Sequence, residues 1–145
     1  MSEVFTGRFS PDSGPHMAKR APTILVVDDH EDTRALLRYV LESHRYEVTE
    51  AADGAEAVRL AETILPDLIL MDTNLTTMNG LEAARRIRMG PIENVPIVFL
   101  SGHAQPQARM QALECGANAY LVKPISLEEL ETVIERELSR SDGKH

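Results

Sequence analysis

Five side chains that could handle a metal ion and a phosphoryl group stand directly after short apolar runs in this 145-residue chain. They are three carboxylates, one hydroxyl and one amine: Asp28, Asp29, Asp72, Ser101 and Lys123. Three neighbouring carboxylates cannot all stay ionised without a cation, because like charges raise each other's pKa. Oxygen ligands in an open site favour Mg²⁺, which keeps several waters and shares itself with phosphate oxygens. If the fold brings the five together, they form a site for Mg²⁺ and phosphate.

Each side chain then has a chemical role. A carboxylate can attack phosphorus as a nucleophile, and Asp72 is the candidate for that role. Lys123 would neutralise one phosphoryl oxygen, Ser101 would donate a hydrogen bond to a second, and Mg²⁺ would bind the third. Positioning and charge neutralisation are most of what phosphoryl transfer requires.

The same residues also have simpler structural explanations. Asp72 could be an ordinary turn residue, because aspartate is common in turns. Asp28 and Asp29 could cap the helix that follows them. Ser101 could serve a turn, and Lys123 could be a solvated surface group. Their positions relative to the predicted strands decide between these explanations.

Five short segments are predicted as strands. The continuous apolar run Leu68–Met71 indicates a strand buried on both faces, as in a parallel sheet. Thr23–Val27, Ile97–Leu100 and Ala119–Val122 have the same character, whereas Tyr46–Ala51 alternates and is expected at a sheet edge. The four buried strands, and not the edge strand, lead directly into the five polar side chains.

Apolar residues at helical spacing fill the segments between and after these strands. The apolar stripes of the second and fifth helices include Leu65 and Leu127, and Ser126 with Glu129 forms a capping box at the start of the fifth. The predicted helices are approximately His30–Ser43, Gly54–Leu65, Leu81–Met89, Gln107–Cys115 and Ser126–Ser139.

This alternation predicts an α/β fold: a doubly wound, five-stranded parallel sheet with helices on both faces. The carboxyl ends of parallel strands meet at one edge of the sheet, where open α/β folds bind their ligands. The five polar side chains are therefore expected in one crevice.

The domain prediction is a single folded unit at residues 22–139, with a short tail at 140–145. Residues 1–21 lack apolar periodicity and are expected to be a flexible extension. Gly14-Pro15-His16-Met17 is similar to the remnant of a cleaved expression tag, with Met17 as the native start, and a natural extension is the alternative. No second, DNA-binding domain is predicted.

Composition narrows the class of protein. Apolar residues make up 43% of the chain, and 23 acidic against 15 basic residues give a net charge of −8, which argues against sequence-independent binding of nucleic acid. The basic cluster Arg85, Arg86 and Arg88 is predicted to be a solvated helix face. The single Cys115 leaves no disulfide framework, and no membrane segment or signal peptide is evident. The expected location is cytoplasmic.

The predicted fold, with these polar residues at its strand ends, resembles the receiver domain of two-component response regulators. The stand-alone form, similar to chemotaxis regulators, is the expected one. The resemblance covers about Pro22 to Ser139. It rests on Val26-Val27-Asp28-Asp29, on Met71-Asp72 with Gly80 eight residues later, on Ser101, and on Lys123-Pro124. It implies a flavodoxin-like sheet in the order 2-1-3-4-5.

The resemblance also implies a role for each site residue. Asp72 matches the phosphoacceptor, Asp29 the direct metal ligand and Asp28 its water-bridged companion. Asn74 matches the position whose backbone carbonyl binds the metal. Lys123 matches the lysine that contacts phosphate, and its bond to Pro124 is expected to be cis.

A switch is implied as well. On phosphorylation Ser101 would move toward the phosphoryl group and Tyr120 would swing inward, which would remodel the face made by the fourth helix, fifth strand and fifth helix. A half-buried strand aromatic is the alternative interpretation of Tyr120. Asn74 and His103 occupy positions that tune the lifetime of the phosphoryl group.

Other positions carry weaker expectations. Thr76 and Gly102 depart from the family's usual proline and alanine, which would loosen two loops without altering the phosphate chemistry. The remaining histidines are expected to be solvated surface groups: His16, His30, His44 and His145.

The implied partners are a histidine kinase or phosphotransfer protein and an unidentified downstream protein, with no direct contact to nucleic acid or membrane. The expected state is a monomer, or a weak dimer through the face of the fourth helix, fifth strand and fifth helix.

Two other functions share features with this sequence. A phosphohydrolase of the haloacid-dehalogenase type shares the nucleophile, Mg²⁺, hydroxyl and lysine, but its nucleophile ends the first strand in an Asp-x-Asp-x-Thr pattern and a cap covers its substrate. Here the candidate nucleophile ends the third strand and no cap is predicted. An inert receiver-like domain is disfavoured because every chemical position is filled. The chain is thus not expected to turn over external substrates, although it would remove its own phosphoryl group.

Overall fold

A computed structural model describes residues 20–75 and 78–142. Thr76, most of the expected N-terminal extension and the last three residues of the tail lie outside the described residues. Five strands and five helices alternate along the described part of the chain. The strands are β1 (Thr23–Val27), β2 (Glu47–Ala51), β3 (Leu68–Asp72), β4 (Ile97–Ser101) and β5 (Ala119–Val122). The helices are α1 (Glu31–Ser43), α2 (Gly54–Ile64), α3 (Gly80–Arg88), α4 (Pro106–Glu114) and α5 (Leu127–Asp142).

The strands form one parallel sheet in the order β2-β1-β3-β4-β5. Every residue of β3 and β4 is buried, whereas four of the five residues of β2 are only partly buried or exposed. Continuous apolar runs therefore occupy the covered strands and the alternating segment lies at the edge, as the sequence predicted. The predicted fold class and strand order are confirmed.

Helices cover both faces of the sheet. Apolar residues of α1 and α5 pack on one face, around Ile24, Val26, Leu68 and Leu70. Small residues of α2, α3 and α4 pack on the other face together with Phe99. The two layers exclude water from the sheet, and they leave its carboxyl edge as the place where polar side chains can gather.

Polar residues at the helix starts explain where several helices begin. The Asp53 carboxylate accepts a hydrogen bond from the Glu56 amide, and the Glu56 carboxylate accepts one from the Ala52 amide, an arrangement similar to a capping box. Ser126 Oγ accepts from the Glu129 amide at 3.0 Å, as predicted for α5. The bonds to the Glu56 and Glu129 amides satisfy groups that would otherwise lack a partner in the first helical turn.

Three sequence expectations fail in detail. Leu65 and Leu127 are 54% and 52% exposed, so neither belongs to the apolar stripe of its helix. Leu65 instead adopts a left-handed conformation that ends α2, and Leu127 is the first residue of α5. Arg88 is not part of a solvated face, because its guanidinium is held by backbone carbonyls, whereas Arg85 and Arg86 are exposed.

Helix α5 extends to Asp142, three residues beyond the predicted end of the domain at residue 139. Residues 140–142 therefore continue the helix. None of the helices in the described ranges is both long and apolar enough to cross a membrane.

Candidate functional site

The five polar side chains lie at the carboxyl edge of the sheet. Strand register aligns Val27 with Met71 and Asp72 with Leu100, so β1 and β3 end side by side. Ser101 aligns with Val122, the residue before Lys123. The crossovers of the fold thus bring residues from four strands to one edge, as expected for a ligand crevice in a parallel sheet.

Asp28, Asp29 and Asp72 form a cluster that we call the acidic triad. Carboxylate oxygens of all three lie within 4.8 Å of one another, together with a ring nitrogen of His30. Asp28 is 1% exposed, yet its Oδ2 accepts no hydrogen bond from any described residue, and neither does the buried Oδ1 of Asp29. Buried carboxylate oxygens without donors are costly. A hard divalent cation such as Mg²⁺ would satisfy them, so the donor set fits this ion.

Asp72, the candidate nucleophile, is buried, with 3% exposure. Burial raises the pKa of its carboxyl, an effect opposed by the Asn74 amide, which donates to Oδ1 at 3.1 Å, and by the Lys123 charge. The charges of Asp28 and Asp29 raise the pKa further. The carboxylate thus lies where a cation would strongly favour its ionised, nucleophilic form.

Lys123 stands between two members of the acidic triad. Its Nζ lies 3.7 Å from Asp72 Oδ1 and 3.8 Å from Asp28 Oδ2. These distances exceed those of ordinary hydrogen bonds, and the side chain remains 37% exposed. The amine can therefore shift to meet an incoming anion. The bond from Lys123 to Pro124 is cis, as predicted.

Ser101 is completely buried beside the acidic triad. Its Oγ accepts hydrogen bonds from Thr73 Oγ1 at 3.0 Å and from the His103 amide at 3.1 Å. Sequence reasoning missed Thr73, although a hydroxyl directly after the candidate nucleophile was a usable signal. The first bond ties the end of β4 to the loop that follows β3, and the second holds the loop that follows β4.

Tyr120 points into the molecule and is 5% exposed. Its hydroxyl donates to the His103 carbonyl at 2.8 Å, and the Arg109 guanidinium lies 5.6 Å from the ring centroid. A cavity of about 230 Å³ opens beside the ring, and its lining includes Asn74, Ser101 and His103. The residues expected to switch and to tune the phosphoryl lifetime therefore border one space.

Gly80 controls how closely the loop after β3 approaches the end of that strand. A Cβ at this position would lie 2.5 Å from the Asp72 carbonyl oxygen and 3.0 Å from the Phe99 ring. Only glycine permits this approach without displacing the backbone that carries Asp72. The spacing from Asp72 to Gly80 thus has a steric cause.

His30 was predicted to be a solvated surface group, and its ring is exposed as predicted, but its contacts with the acidic triad were not foreseen. The ring is 71% exposed, but Nδ1 lies 3.1 Å from Asp28 Oδ1 and 3.0 Å from Asp29 Oδ1. The sequence feature that could have indicated these contacts is the position of His30 immediately after the two aspartates. Arg34 is a second missed neighbour, because it donates to the Asp28 carbonyl at 2.7 Å and fixes the end of β1.

Comparison with known proteins identifies the family. The family model of the response regulator receiver domain matches residues 24–135. The alkaline phosphatase synthesis transcriptional regulatory protein PhoP of Bacillus subtilis is 39% identical over 119 residues, which are 82% of this chain and 49% of PhoP. The phosphate regulon transcriptional regulatory protein PhoB of Rhizobium meliloti is 40% identical over 122 residues, 83% of this chain and 53% of PhoB. The chain therefore spans about half the length of these two relatives.

Solved structures agree with this result. The receiver domain of a sensor histidine kinase from Pseudomonas aeruginosa, with a magnesium ion coordinated in its active-site cleft, is 37% identical and has a TM-score of 0.77. The alignment covers 82% of this chain and 98% of that domain. A CheY-like receiver domain protein from Methanospirillum hungatei has a TM-score of 0.81 at 26% identity, covering 86% and 99% of the two chains. Sequence and fold together show that this chain belongs to the receiver domain family of two-component response regulators, whose members act in phosphorylation-dependent signalling.

Proposed function

We propose that the chain is a signalling switch that accepts one phosphoryl group on Asp72. The observation that carries this proposal is the position of Asp72, buried at the end of β3 with Lys123 Nζ at 3.7 Å and the other two carboxylates of the acidic triad close by. Asp28 is also buried and lies 3.8 Å from Lys123 Nζ, but it matches the metal-binding position of the family, which leaves Asp72 as the acceptor. The donor is a histidine kinase or phosphotransfer protein, the class of partner with which receiver domains interact.

The reaction follows from these contacts. An Asp72 carboxylate oxygen attacks phosphorus, the bond from phosphorus to the donor nitrogen breaks, and that nitrogen keeps the electron pair. Lys123 neutralises charge on one phosphoryl oxygen, and the Ser101 hydroxyl donates a hydrogen bond to another. Asp28, Asp29 and the backbone carbonyl of Asn74 would hold Mg²⁺ together with Asp72, and that ion would supply charge neutralisation for the remaining oxygen.

Reversal of the switch is also part of the proposal. Water attacks phosphorus, the bond from phosphorus to the Asp72 oxygen breaks, and inorganic phosphate leaves as the carboxylate is regenerated. The rate depends on Asn74 and His103, which border the adjacent cavity. The chain removes only its own phosphoryl group and does not turn over external substrates. The receiver domain family is a signalling family rather than a class of metabolic enzymes.

Output is proposed to pass through Ser101 and Tyr120 to a partner protein. Ser101 accepts from the His103 amide and Tyr120 donates to the His103 carbonyl, so both contact the same backbone unit before α4. A phosphoryl group that recruits Ser101 would alter this linkage and thereby α4. The affected face consists of α4, β5 and α5, and it would bind the downstream protein or form a weak dimer.

Labelling with a small phosphodonor in the presence of Mg²⁺ tests the assignment of Asp72. The wild-type protein should gain one acid-stable, hydroxylamine-labile phosphoryl group, detected by intact-protein mass spectrometry. Asp72→Asn should gain none. Asp67→Asn is a matched control, because Asp67 precedes the opposite end of the same strand and an asparagine can still accept from the Thr23 amide. Equal labelling of Asp72→Asn and wild type would overturn the proposal.

A further inference from the structure

His30 adds a nitrogen donor to an otherwise all-oxygen site. Its Nδ1 belongs to the same group of potential ligand atoms as the acidic triad, all within 4.8 Å of one another. His30 is the N-cap residue of α1, but its side chain makes no capping hydrogen bond. The backbone amide of His30 donates to Asp28 Oδ1 at 2.8 Å, which holds the residue beside the site while the ring remains exposed to solvent.

The contact between His30 and Asp29 suggests two ligands of one ion. Nδ1 makes a hydrogen bond with Asp28 Oδ1 at 3.1 Å, which it would exchange for the ion on binding. Nδ1 and Asp29 Oδ1 are 3.0 Å apart, yet this Oδ1 accepts no hydrogen bond from the ring or from any other described residue. Two ligand atoms in adjacent positions of an octahedral shell, with bonds of about 2.1 Å, lie about 3.0 Å apart. The spacing is therefore that of cis ligands.

A second observation points to a ligand at the same place. The Asp28 side chain is only 1% exposed to solvent. Its Oδ2 has no hydrogen-bond donor among the described residues. The nearest cation is Lys123 Nζ at 3.8 Å. A divalent ion between the carboxylates and the imidazole would satisfy this oxygen and the orphan oxygen of Asp29 together.

We propose that His30 is a metal ligand, and that the site prefers divalent first-row transition ions to Mg²⁺. The proposal rests on the cation site of the proposed function. Mg²⁺ prefers oxygen donors, whereas Ni²⁺, Co²⁺ and Zn²⁺ bind imidazole well and generally bind a mixed nitrogen and oxygen site more tightly than hard ions do. The imidazole therefore changes which ion occupies the site.

Calorimetric titration with Ni²⁺ and with Mg²⁺ at one fixed pH tests the preference. His30→Gln should weaken Ni²⁺ binding by about tenfold or more, the range typical for loss of a group that supports a metal site. It should leave Mg²⁺ binding within about twofold of wild type. His44→Gln is the matched control, because His44 lies at the opposite end of α1 with a partly exposed ring, and it should change neither affinity.

Proton NMR of the Co²⁺-loaded protein gives a second measurement that does not depend on phosphorylation. Wild type and His44→Gln should show a strongly shifted exchangeable imidazole resonance, and His30→Gln should lack it. Unchanged Ni²⁺ affinity in His30→Gln would overturn the proposal. An equal loss of Ni²⁺ and Mg²⁺ affinity would overturn it too, since His30 would then act on the carboxylates rather than on the ion.

These outcomes separate this inference from the proposed function. If wild type binds Mg²⁺ and becomes labelled on Asp72, but Ni²⁺ binding does not depend on His30, only the ligand assignment fails. If wild type binds neither ion, the cation site itself fails, and the proposed function fails with it.

Discussion

Asp72 is held in a position that favours reaction at the expense of stability. Its carboxylate is buried next to two other carboxylates, and the nearest compensating charge, on Lys123, is 3.7 Å away. Burial raises the pKa of the Asp72 carboxyl, the neighbouring negative charges raise it further, and only the Asn74 amide and Lys123 oppose the change. A group that is buried, charged and only partly compensated destabilises the folded state.

The raised pKa of Asp72 makes the free energy of unfolding depend on pH. A carboxyl whose pKa is raised on folding stabilises the protein most at pH values below its unfolded pKa, near 3.8. That contribution is lost as the pH rises through the folded pKa, because the folded state then has to hold an unfavourable charge.

Asp72→Asn should therefore stabilise the metal-free protein near neutral pH. We expect a gain on the order of 1 kcal/mol in the free energy of unfolding, a usual scale for a single substitution. The gain should grow as the pH rises from about 4 through the folded pKa of Asp72 and then level off. Urea denaturation in the presence of a chelator measures it.

Excess Mg²⁺ provides the control for this prediction. A cation that compensates the Asp72 charge in wild type should reduce or abolish the advantage of Asp72→Asn. An advantage that is the same with chelator and with Mg²⁺ would show that relief of charge repulsion is not its cause.

At the scale of elements, Arg88 holds together several loops at the amino-terminal edge of the sheet. Its guanidinium is half-buried, and burial lowers its pKa. It donates five hydrogen bonds of 2.7–3.1 Å. The acceptors are the carbonyls of Glu93, Val95 and Gly116 and the Asn118 side chain. This edge is opposite the acidic triad, so its role is structural.

Arg88→Met should destabilise the protein by about 2–4 kcal/mol, because several partly buried carbonyls would lose their only charged donor. Arg88→Lys should recover less than half of that loss, since an amine cannot reproduce the planar fork of donors. Arg86→Met is the matched control on the same helix: Arg86 is exposed and pairs only with Glu82, so a change within about 0.5 kcal/mol is expected.

Chemical denaturation of the three variants measures these differences. A loss for Arg88→Met as small as that for Arg86→Met would mean that water replaces the guanidinium at little cost. Full recovery by Arg88→Lys would show that the charge, and not the hydrogen-bond geometry, is what matters.

The structural role of Arg88 could not be predicted from the sequence. The strand and helix assignments needed only local periodicity, and the convergence of the acidic triad followed from parallel topology. Arg88, by contrast, is one of three arginines in a short helix. Nothing in the sequence of that helix shows that Gly116, 28 residues away, adopts a φ of +106° and lies close to the Arg88 side chain. A role that depends on a distant loop cannot be seen in the periodicity of one helix.

The same limit applies to His30 and Leu127. The position of His30 after two aspartates was visible, but whether its ring turns toward them depends on how the backbone enters α1. Leu127 fits the apolar spacing of α5, yet it precedes the part of the helix that packs on the sheet, and so it stays exposed. Periodicity predicts which face of a helix is apolar, but not how far along its length that face is covered.

At the scale of the whole molecule, the acidic triad should couple the stability of the fold to the concentration of divalent cations. The three carboxylates come from β1 and β3, strands at the centre of the sheet, so an ion that binds them joins elements that separate only on unfolding. A ligand that binds only the folded state raises the free energy of unfolding by RT ln(1 + [L]/Kd), which is about 2.7 kcal/mol at 100 times Kd.

Thermal unfolding at increasing Mg²⁺ concentration should show this coupling as a Tm that rises continuously from its value in chelator. Asp29→Asn should largely remove the Mg²⁺ dependence, because a neutral amide replaces a carboxylate that has no other partner for Oδ1. Asp67→Asn should retain it, since Asp67 lies at the other end of β3. If Asp29→Asn and wild type gain the same Tm from Mg²⁺, the ion stabilises the protein from some other place, and the acidic triad is not its site.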